Sequence, residues 1–174
     1  MNKTLFQRLL EIDARLSARL RIAEKPGWLR TTAAILAHSG DSWFWVIGLA
    51  LLWWLGSPFW WARASALLIG ILVTALVVMT VKFIVRRRRP AGEWGKIYRS
   101  TDPHSFPSGH AARAFMLAVL GLGMGPLWFG ILLLLWAPLV SLARASMGVH
   151  YLSDIVAGMV FGLALGGVVL FFVV

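Results

Sequence analysis

The chain has 174 residues, of which 59% are hydrophobic and none is cysteine, so disulfides, thiolate nucleophiles and cysteine-bound metals are excluded. Its length indicates a single domain over residues 1–174, and its apolar runs indicate an integral membrane protein, because about 20 apolar residues cross a bilayer. The formal charge of +10 comes from basic residues at the ends of apolar runs and in one loop, which favours lipid head groups or phosphorylated substrates over nucleic acid.

The first predicted element is an amphipathic interfacial helix within residues 1–25. Apolar residues recur at helical spacing on one face, namely Leu5, Leu9, Ile12, Leu16 and Leu20. Such a helix lies on the membrane surface, although packing against the rest of the bundle explains the pattern equally well. A break at Lys25-Pro26-Gly27, a semi-apolar stretch to Ala37 and a polar cluster over residues 38–42 follow.

The remaining apolar runs predict about five transmembrane helices, which makes the fold an all-α integral membrane helical bundle. The spans run from about Trp43 to Gly56, Ala64 to Val85, Ala111 to Met124, 127 to Leu142 and Ile155 to the C-terminus, with the aromatic group at 59–61 between the first two. Because an even number of crossings separates them, the loops at 86–107 and 143–153 are expected at one membrane face. In the last span Gly158, Gly162 and Gly166 repeat every four residues, which predicts close helix packing.

The first polar segment on that face, residues 82–90, follows the second span directly. A helix continuing through it would place Lys82, Arg86 and Arg89 on one face, and Pro90 would then end the helix. Two or three cations would converge where the span meets water. A positive patch that only anchors the protein beside the membrane explains the same segment.

The second and third polar segments each contribute a histidine. In Pro107-Ser108-Gly109-His110, Ser108 is a good N-cap, and the N–H groups of the first turn form an anion site in which His110 can protonate an oxygen. A simple helix cap is the alternative. In residues 144–154, His150 and Asp154 lie four apart, so the carboxylate can accept the Nδ1 proton and turn Nε2 outward. A salt bridge from Asp154 to a nearby arginine is the alternative there.

Phosphoryl transfer requires cations around the phosphate oxygens, a nucleophile and an acid, and the three segments together supply all of these. They resemble the type 2 phosphatidic acid phosphatase family, whose signature is K-x6-R-P, then P-S-G-H, then S-R-x5-H-x3-D. The matching residues are Lys82, Arg89 and Pro90, Pro107 to His110, and Arg144, His150 and Asp154, in the same order and at the same spacings. One difference is Ala143, which stands where the family has a serine that supports phosphate binding.

The resemblance implies a role for each matched residue. The phosphate-binding residues would be Lys82, Arg89, Ser108, Gly109 and Arg144. His150, oriented by Asp154, would attack phosphorus and form a phosphohistidine, while His110 would protonate the leaving oxygen and then activate water. No metal or other cofactor is implied.

The resemblance also implies a lipid phosphate or diphosphate as the substrate, such as undecaprenyl diphosphate, phosphatidic acid or phosphatidylglycerol phosphate. The segment at 91–106 is expected to cover the head group or to be a solvated loop, and its candidate contacts are Glu93, Trp94, Lys96, Tyr98, Asp102 and His104. A lipid phosphotransferase and a non-catalytic lipid-binding scaffold are the alternative functions.

The membrane face of the site follows from two conflicting indications. The distribution of Lys and Arg places both catalytic loops in the cytoplasm. The resemblance to bacterial enzymes implies instead an inner or plasma membrane protein with an extracytoplasmic site. Because several of the basic residues belong to the predicted site, the resemblance has the greater weight.

Overall fold

The computed structural model describes residues 4–92, 94 and 100–173, which form helices and connecting loops. The helices are α1 (Leu5–Arg19), α2 (Trp28–Ser39), α3 (Ser42–Leu55), α4 (Pro58–Val85), α5 (Gly109–Met124), α6 (Leu127–Ser146) and α7 (Leu152–Val173). Helix α5 packs against α4, α6 and α7, and its buried residues Met116, Leu117 and Leu120 meet Leu67 of α4 in the core. The helix that carries the Pro-Ser-Gly-His segment therefore lies at the centre of the bundle.

Of the helices in the described ranges, α4, α6 and α7 are individually long and apolar enough to cross a membrane. Helices α2 and α3 meet that criterion only as a pair, which is bent by 53° at the intervening break, and α5 is apolar but has only 16 residues. The predicted multi-pass helical bundle is confirmed. The prediction of about five spans differs from this count at two points. It treated the short α5 as a full span, and it treated α3 as a span by itself without α2.

Two boundaries of α4 differ from the prediction. The helix begins at Pro58, because proline suits the first helical position, so the aromatic residues at 59–61 lie inside the helix and not between two spans. At the other end α4 stops at Val85, and Arg86 adopts a left-handed conformation with φ of 52°. The prediction that Lys82, Arg86 and Arg89 share one helical face is therefore wrong, since the chain leaves the helix between Lys82 and Arg89.

The glycine stripe of α7 fits against α5, which confirms the packing prediction. A Cβ atom at Gly158 would lie 2.5 Å from the carbonyl oxygen of Ser108, and one at Gly166 would lie 2.7 Å from Cβ of Val119. A Cβ at Gly162 would overlap the carbonyl oxygen of Ala112. The absence of these side chains lets α7 and α5 approach closely enough to bring their polar ends together.

Helix α1 combines the two interpretations of its amphipathic pattern. Its apolar residues are exposed, with Leu5 and Phe6 at 75% and 68% of their full surface, as expected for a membrane-facing side. On the opposite side Asp13 and Ser17 accept hydrogen bonds from the backbone N–H groups of Ser153 and Leu152, at 3.0 and 2.9 Å. The helix therefore contacts the start of α7 through its polar side.

Candidate active site

A cavity of about 460 Å³ lies at the end of the bundle where α4 ends and α5 begins. Its polar and charged lining residues are Asp41, Ser42, Thr74, Lys82, Arg89, Asp102, His110, Arg113, Arg144 and His150, and Gly109 also lines it. All three polar segments are represented, so the loops at 86–107 and 143–153 do meet at one end of the bundle. The break between α2 and α3 contributes as well, which the sequence patterns did not indicate.

Two buried cations in this cavity share one carboxylate. Lys82, in the last turn of α4, donates from Nζ to Oδ2 of Asp102 at 2.5 Å and to the carbonyl oxygen of His104 at 2.8 Å. Arg89 donates from Nη2 to the same Oδ2 at 2.8 Å and from Nε to the backbone oxygen of Asp102 at 2.7 Å. Burial opposes ionisation of Asp102, but the hydrogen bond and charge of Lys82 and the charge of Arg89 lower its pKa below the ordinary value of 3.8. In this structure the Asp102 carboxylate is therefore the anion between the two cations.

His150 is held in one tautomer by its two hydrogen bonds. The loop between α6 and α7 reverses at Gly148, whose φ of 68° is left-handed, and buries His150 in the cavity wall with 1% exposure. Its Nδ1 lies 2.8 Å from the carbonyl oxygen of Ser105 and its Nε2 lies 3.1 Å from Nη1 of Arg89. Because a carbonyl only accepts and a guanidinium only donates, Nδ1 carries the proton and Nε2 has the lone pair.

Burial lowers the pKa of His150 to about 3, and the charges of Arg89 and Arg144 act in the same direction against the contribution of Asp154. The ring is therefore neutral near neutral pH. A neutral imidazole with its Nε2 lone pair directed towards a cation-lined cavity is the form that a nucleophilic histidine requires.

Asp154 contacts His150 less directly than its spacing suggests. Its Oδ2 is 3.6 Å from Nδ1 of His150, an ion-pair distance, whereas the carbonyl oxygen of Ser105 is closer. The carboxylate is fully buried and accepts hydrogen bonds from Nη1 of Arg87 at 2.7 Å and from the Tyr151 backbone N–H at 2.8 Å. The expected hydrogen bond between Nδ1 and Asp154 is thus replaced by one to Ser105, and Asp154 acts on the ring as a neighbouring negative charge.

A further acidic residue, from α1, completes this cluster. Arg87 donates from Nη2 to Oδ2 of Asp13 at 2.7 Å, and the Ser153 hydroxyl donates to the same oxygen at 2.5 Å. The guanidinium of Arg87 also lies 4.0 Å from the ring centre of Tyr151. Arg87, which is itself bound to Asp13, therefore holds the carboxylate of Asp154, and neither Arg87 nor Asp13 is a position of the signature.

The second histidine, His110, is in the first turn of α5 and is bound to a carboxylate from the break between α2 and α3. Its Nε2 lies 2.7 Å from Oδ1 of Asp41, whose Oδ2 is 3.0 Å from Nδ1 of His38. Arg113, one turn further along α5, donates from both Nε and Nη2 to the carbonyl oxygen of Gly40. His110 is thus tied to a part of the chain about 70 residues earlier.

The other residues of the signature segments differ in whether they line the cavity, which Gly109 and Arg144 do and Ser108 and Ala143 do not. Gly109 and the buried Arg144, on the last turn of α6, both line it. Ser108 caps α5 as predicted, with its hydroxyl oxygen accepting from the Ala111 N–H at 3.4 Å. Ala143 packs with Ala23, Ala33, Ala37 and Met147 in a small apolar cluster. An alanine at this position is therefore explained by its apolar surroundings.

The predicted head-group segment is described only in part. Asp102 reaches the cavity, and His104 contributes its backbone oxygen to Lys82. Trp94 packs against His38, with ring centres 5.7 Å apart. Glu93, Lys96 and Tyr98 lie outside the described residues.

Comparison with known proteins agrees with this geometry. The sequence model described as PAP2 superfamily matches residues 63–174, which is more than half of the chain. The chain belongs to the PAP2 superfamily. Homologues in this superfamily are lipid and polyprenyl phosphatases, so this member is a membrane lipid phosphatase, a hydrolase that acts on lipid phosphates.

Individual relatives of this PAP2 protein cover most of its length. It is 31% identical to a decaprenylphosphoryl-5-phosphoribose phosphatase of Mycobacterium tuberculosis, over 91% of this chain and 88% of the relative. It is 34% identical to an undecaprenyl-diphosphatase of Sulfolobus acidocaldarius, over 62% of this chain and 60% of the relative. Its fold is similar to that of a transmembrane PAP2 type phosphatidylglycerolphosphate phosphatase from Bacillus subtilis, with a TM-score of 0.76 and 23% identity over 95% of this chain and 86% of that one.

Several residues at this site were not predicted from the sequence, among them the charged residues Asp13, Arg87, Asp41 and Arg113. Arg87 lies within an arginine run in which the signature selects only Arg89. Asp13 and Asp41 lie outside residues 63–174, to which the superfamily model extends. The one usable signal was the polar cluster at 38–42 between two apolar stretches, because ionisable residues within a membrane protein commonly mark a functional site.

Proposed function

We propose that this PAP2 protein removes phosphate from a polyprenyl-linked lipid through a phosphohistidine on His150. The observation that carries this proposal is the state of His150, a neutral ring at a cavity that also contains Lys82, Arg89 and Arg144. Its unprotonated Nε2 accepts a hydrogen bond from Arg89, which a bound phosphate would displace. Those three cations are suited to bind the equatorial oxygens of a phosphoryl group in place of the Asp102 carboxylate.

The reaction proceeds in two displacements at phosphorus. In the first, Nε2 of His150 forms a bond to phosphorus and the P–O bond to the leaving group breaks, an anhydride bond in a diphosphate and an ester bond in a monophosphate, while His110 gives a proton to the leaving oxygen. In the second, His110 takes a proton from water, the resulting hydroxide attacks phosphorus, and the P–N bond breaks to release inorganic phosphate. Nδ1 of His150 keeps its proton throughout and donates it in a hydrogen bond to the carbonyl oxygen of Ser105. The nearby Asp154 offsets the positive charge of the phosphorylated ring.

The polyprenyl class is favoured among the three predicted substrates by the names of two relatives. Decaprenylphosphoryl-5-phosphoribose phosphatase and undecaprenyl-diphosphatase both refer to polyprenyl-linked phosphates. The terminal phosphate of undecaprenyl diphosphate is the substrate that we select for the first assay. Phosphatidic acid and phosphatidylglycerol phosphate are the competing lipids in the same panel.

We place the cavity at the extracytoplasmic side of the membrane, as the family resemblance implies. The chain contains no cysteine, so a single Ala91→Cys variant gives a specific label position near the site. Labelling by a membrane-impermeant maleimide in intact cells is the expected result. Labelling only after the membrane is permeabilised would place the cavity in the cytoplasm.

The proposed chemistry is tested by phosphate release from purified protein in lipid vesicles, together with quenching in alkaline detergent after brief exposure to ³²P-labelled substrate. We expect covalent label that is stable to base and labile to acid, as phosphohistidine is, and its loss in His150→Ala. That variant should lose activity by on the order of 10⁴-fold or more, as removal of an enzymatic nucleophile does. A folded His150→Ala protein with wild-type phosphate release would disprove the assignment.

A further inference from the structure

The carboxylate of Asp41 joins two histidines at the break between α2 and α3. Oδ1 is 2.7 Å from Nε2 of His110, and Oδ2 is 3.0 Å from Nδ1 of His38. The Asp41 side chain is 16% exposed and that of His110 is 14% exposed, whereas His38 is 48% exposed and reaches the surface. Asp41 therefore lies between the proposed acid of the site and a histidine that solvent can reach.

Hydrogen bonds from three helices fix the break that carries Asp41. Arg113 of α5 donates through two nitrogens to the carbonyl oxygen of Gly40. Trp45 of α3 donates to the carbonyl oxygen of Ser39 at 3.1 Å, and Trp136 of α6 donates to the Ser39 hydroxyl at 2.9 Å. These bonds preset the position of Asp41 relative to α5, so the contact with His110 is not a chance encounter of two mobile side chains.

Asp41 contacts His110 although its backbone position would suit it to cap helix α3. Asp41 occupies the N-cap position of α3 with an extended backbone, where an aspartate usually accepts a hydrogen bond from the helix N-terminus. Its side chain makes no such cap bond. The carboxylate is directed to His110 and His38 instead, although capping would have been available at no cost in backbone conformation.

We propose that Asp41 is a positioning residue for His110, which it holds with Nε2 towards the carboxylate and Nδ1 towards the leaving oxygen of the substrate. The inference rests on the proposed function, in which His110 is the acid. Asp41 lies outside residues 63–174, to which the superfamily model extends, and it adds a carboxylate partner for the second histidine.

The charges of the cavity explain why the acid requires such a partner. The ring of His110 shares the cavity with Lys82, Arg89, Arg113 and Arg144 and with the neutral His150. Each of these cations opposes a further positive charge on His110, and Asp102 is already bound to two of them. A carboxylate at 2.7 Å acts against that repulsion, so its removal should make the protonated ring that an acid requires harder to form.

The test compares two substrates that differ in their need for an acid. A dodecyl phosphate must expel an alkoxide, which requires a proton, whereas p-nitrophenyl phosphate expels a weakly basic phenolate that does not. We expect Asp41→Asn to lower kcat/KM for dodecyl phosphate by about 100-fold and for p-nitrophenyl phosphate by less than about fivefold, within the range of general acid catalysis. His110→Ala should show the same selectivity with a larger loss.

Two further variants serve as controls. Asp41→Glu keeps the charge and should recover part of the activity on dodecyl phosphate, and it replaces Asp41→Asn as the test if the asparagine variant does not fold. His38→Gln removes the outer partner of the carboxylate and should reproduce the selective loss more weakly. Melting temperature and gel filtration in detergent report the fold of each variant.

The outcomes separate this inference from the function on which it rests. If His110→Ala lowers kcat/KM equally for both substrates, the assignment of the acid fails and the role of Asp41 fails with it. If His110→Ala lowers kcat/KM mainly for dodecyl phosphate but Asp41→Asn lowers it equally for both substrates, Asp41 is structural and only this inference is overturned. A lower KM with unchanged kcat in Asp41→Asn would also overturn it, because the carboxylate would then only occupy the site when substrate is absent.

Discussion

The two histidines line one cavity but are held by different parts of the chain. His150 is contacted by Ser105, Arg89 and Asp154, all within the 82–154 range of the motifs. His110 is bound by Asp41, from the break between α2 and α3. The His150 side of the site is therefore built mainly from the motif segments, whereas the His110 side depends on tertiary contact with an earlier part of the chain.

The two rings also differ in their electrostatic surroundings, in a way that suits their proposed roles. Burial and the guanidinium of Arg89 keep His150 neutral, with the lone pair of Nε2 accepting a hydrogen bond from Arg89. His110 has a carboxylate at hydrogen-bond distance instead. The Nε2 atoms of the two histidines thus have opposite direct neighbours, a cation for His150 and an anion for His110.

On the His150 side, the largest effect on stability is expected from Arg87→Ala. The change removes the cation that donates to the fully buried Asp154 and to Asp13, and an uncompensated buried charge costs about 3–5 kcal/mol. We expect a clear fall in melting temperature in detergent and a fall in phosphate release, with a smaller loss for Arg87→Lys.

The matched control for Arg87→Ala is Arg86→Ala. Arg86 is the preceding, exposed arginine, and its Nε donates to the Phe83 carbonyl oxygen of its own helix. Its removal should leave stability and activity near the wild type. If the two variants were equally stable, Arg87 would not be what supports the buried carboxylate.

An intermediate loss of stability and activity is expected from Gly162→Ala, which should affect both the His150 side and the His110 side of the site. The added Cβ would overlap the carbonyl oxygen of Ala112, so α7, which carries Asp154, must move away from α5, which carries His110. Overpacking of this kind costs about 1–3 kcal/mol, and phosphate release should fall because the two ends of the site separate. Gly167→Ala, at a position where a Cβ meets no atom within 4 Å, should behave like the wild type.

The smallest expected effect is a change in the pH dependence of stability, which depends on the charge state of His150. Its pKa is about 3 in the folded protein against an ordinary 6.5, so between these values the unfolded chain binds a proton that the folded chain does not. Stability from this group is complete above pH 6.5 and is lost as the pH falls towards 3. Relative to His150→Asn, the wild type should lose roughly 1 kcal/mol for each pH unit below about 6.

Denaturant unfolding of both proteins at several pH values measures this difference. Because both proteins share every other titrating group, the comparison isolates His150. A difference that does not change between pH 4 and 6.5 would show that His150 titrates normally in the folded protein and would remove the electrostatic contrast with His110.

The sequence predicted the helical bundle and the meeting of Lys82, Arg89, His110, Arg144 and His150, because these depend on long apolar runs and on short fixed spacings. It did not predict the end of α4, since nothing local indicates that Arg86 turns left-handed before Pro90 is reached. The hydrogen bond from His150 to Ser105 was missed because it joins residues 45 apart. Asp13 and Asp41 were missed for the same reason, as their partners are decided only by how α1, α2 and α3 pack.

The carboxylate that Asp102 places between Lys82 and Arg89 has a consequence for selectivity among the lipids of the membrane. A phosphodiester head group carries one negative charge, so exchanging it for Asp102 brings these two cations no additional charge. A phosphate monoester or the terminal phosphate of a diphosphate carries about −1.5 to −2 at neutral pH and does bring more. We therefore expect the exchange with Asp102 to favour a terminal phosphate over the bulk phosphodiester lipids that surround the protein.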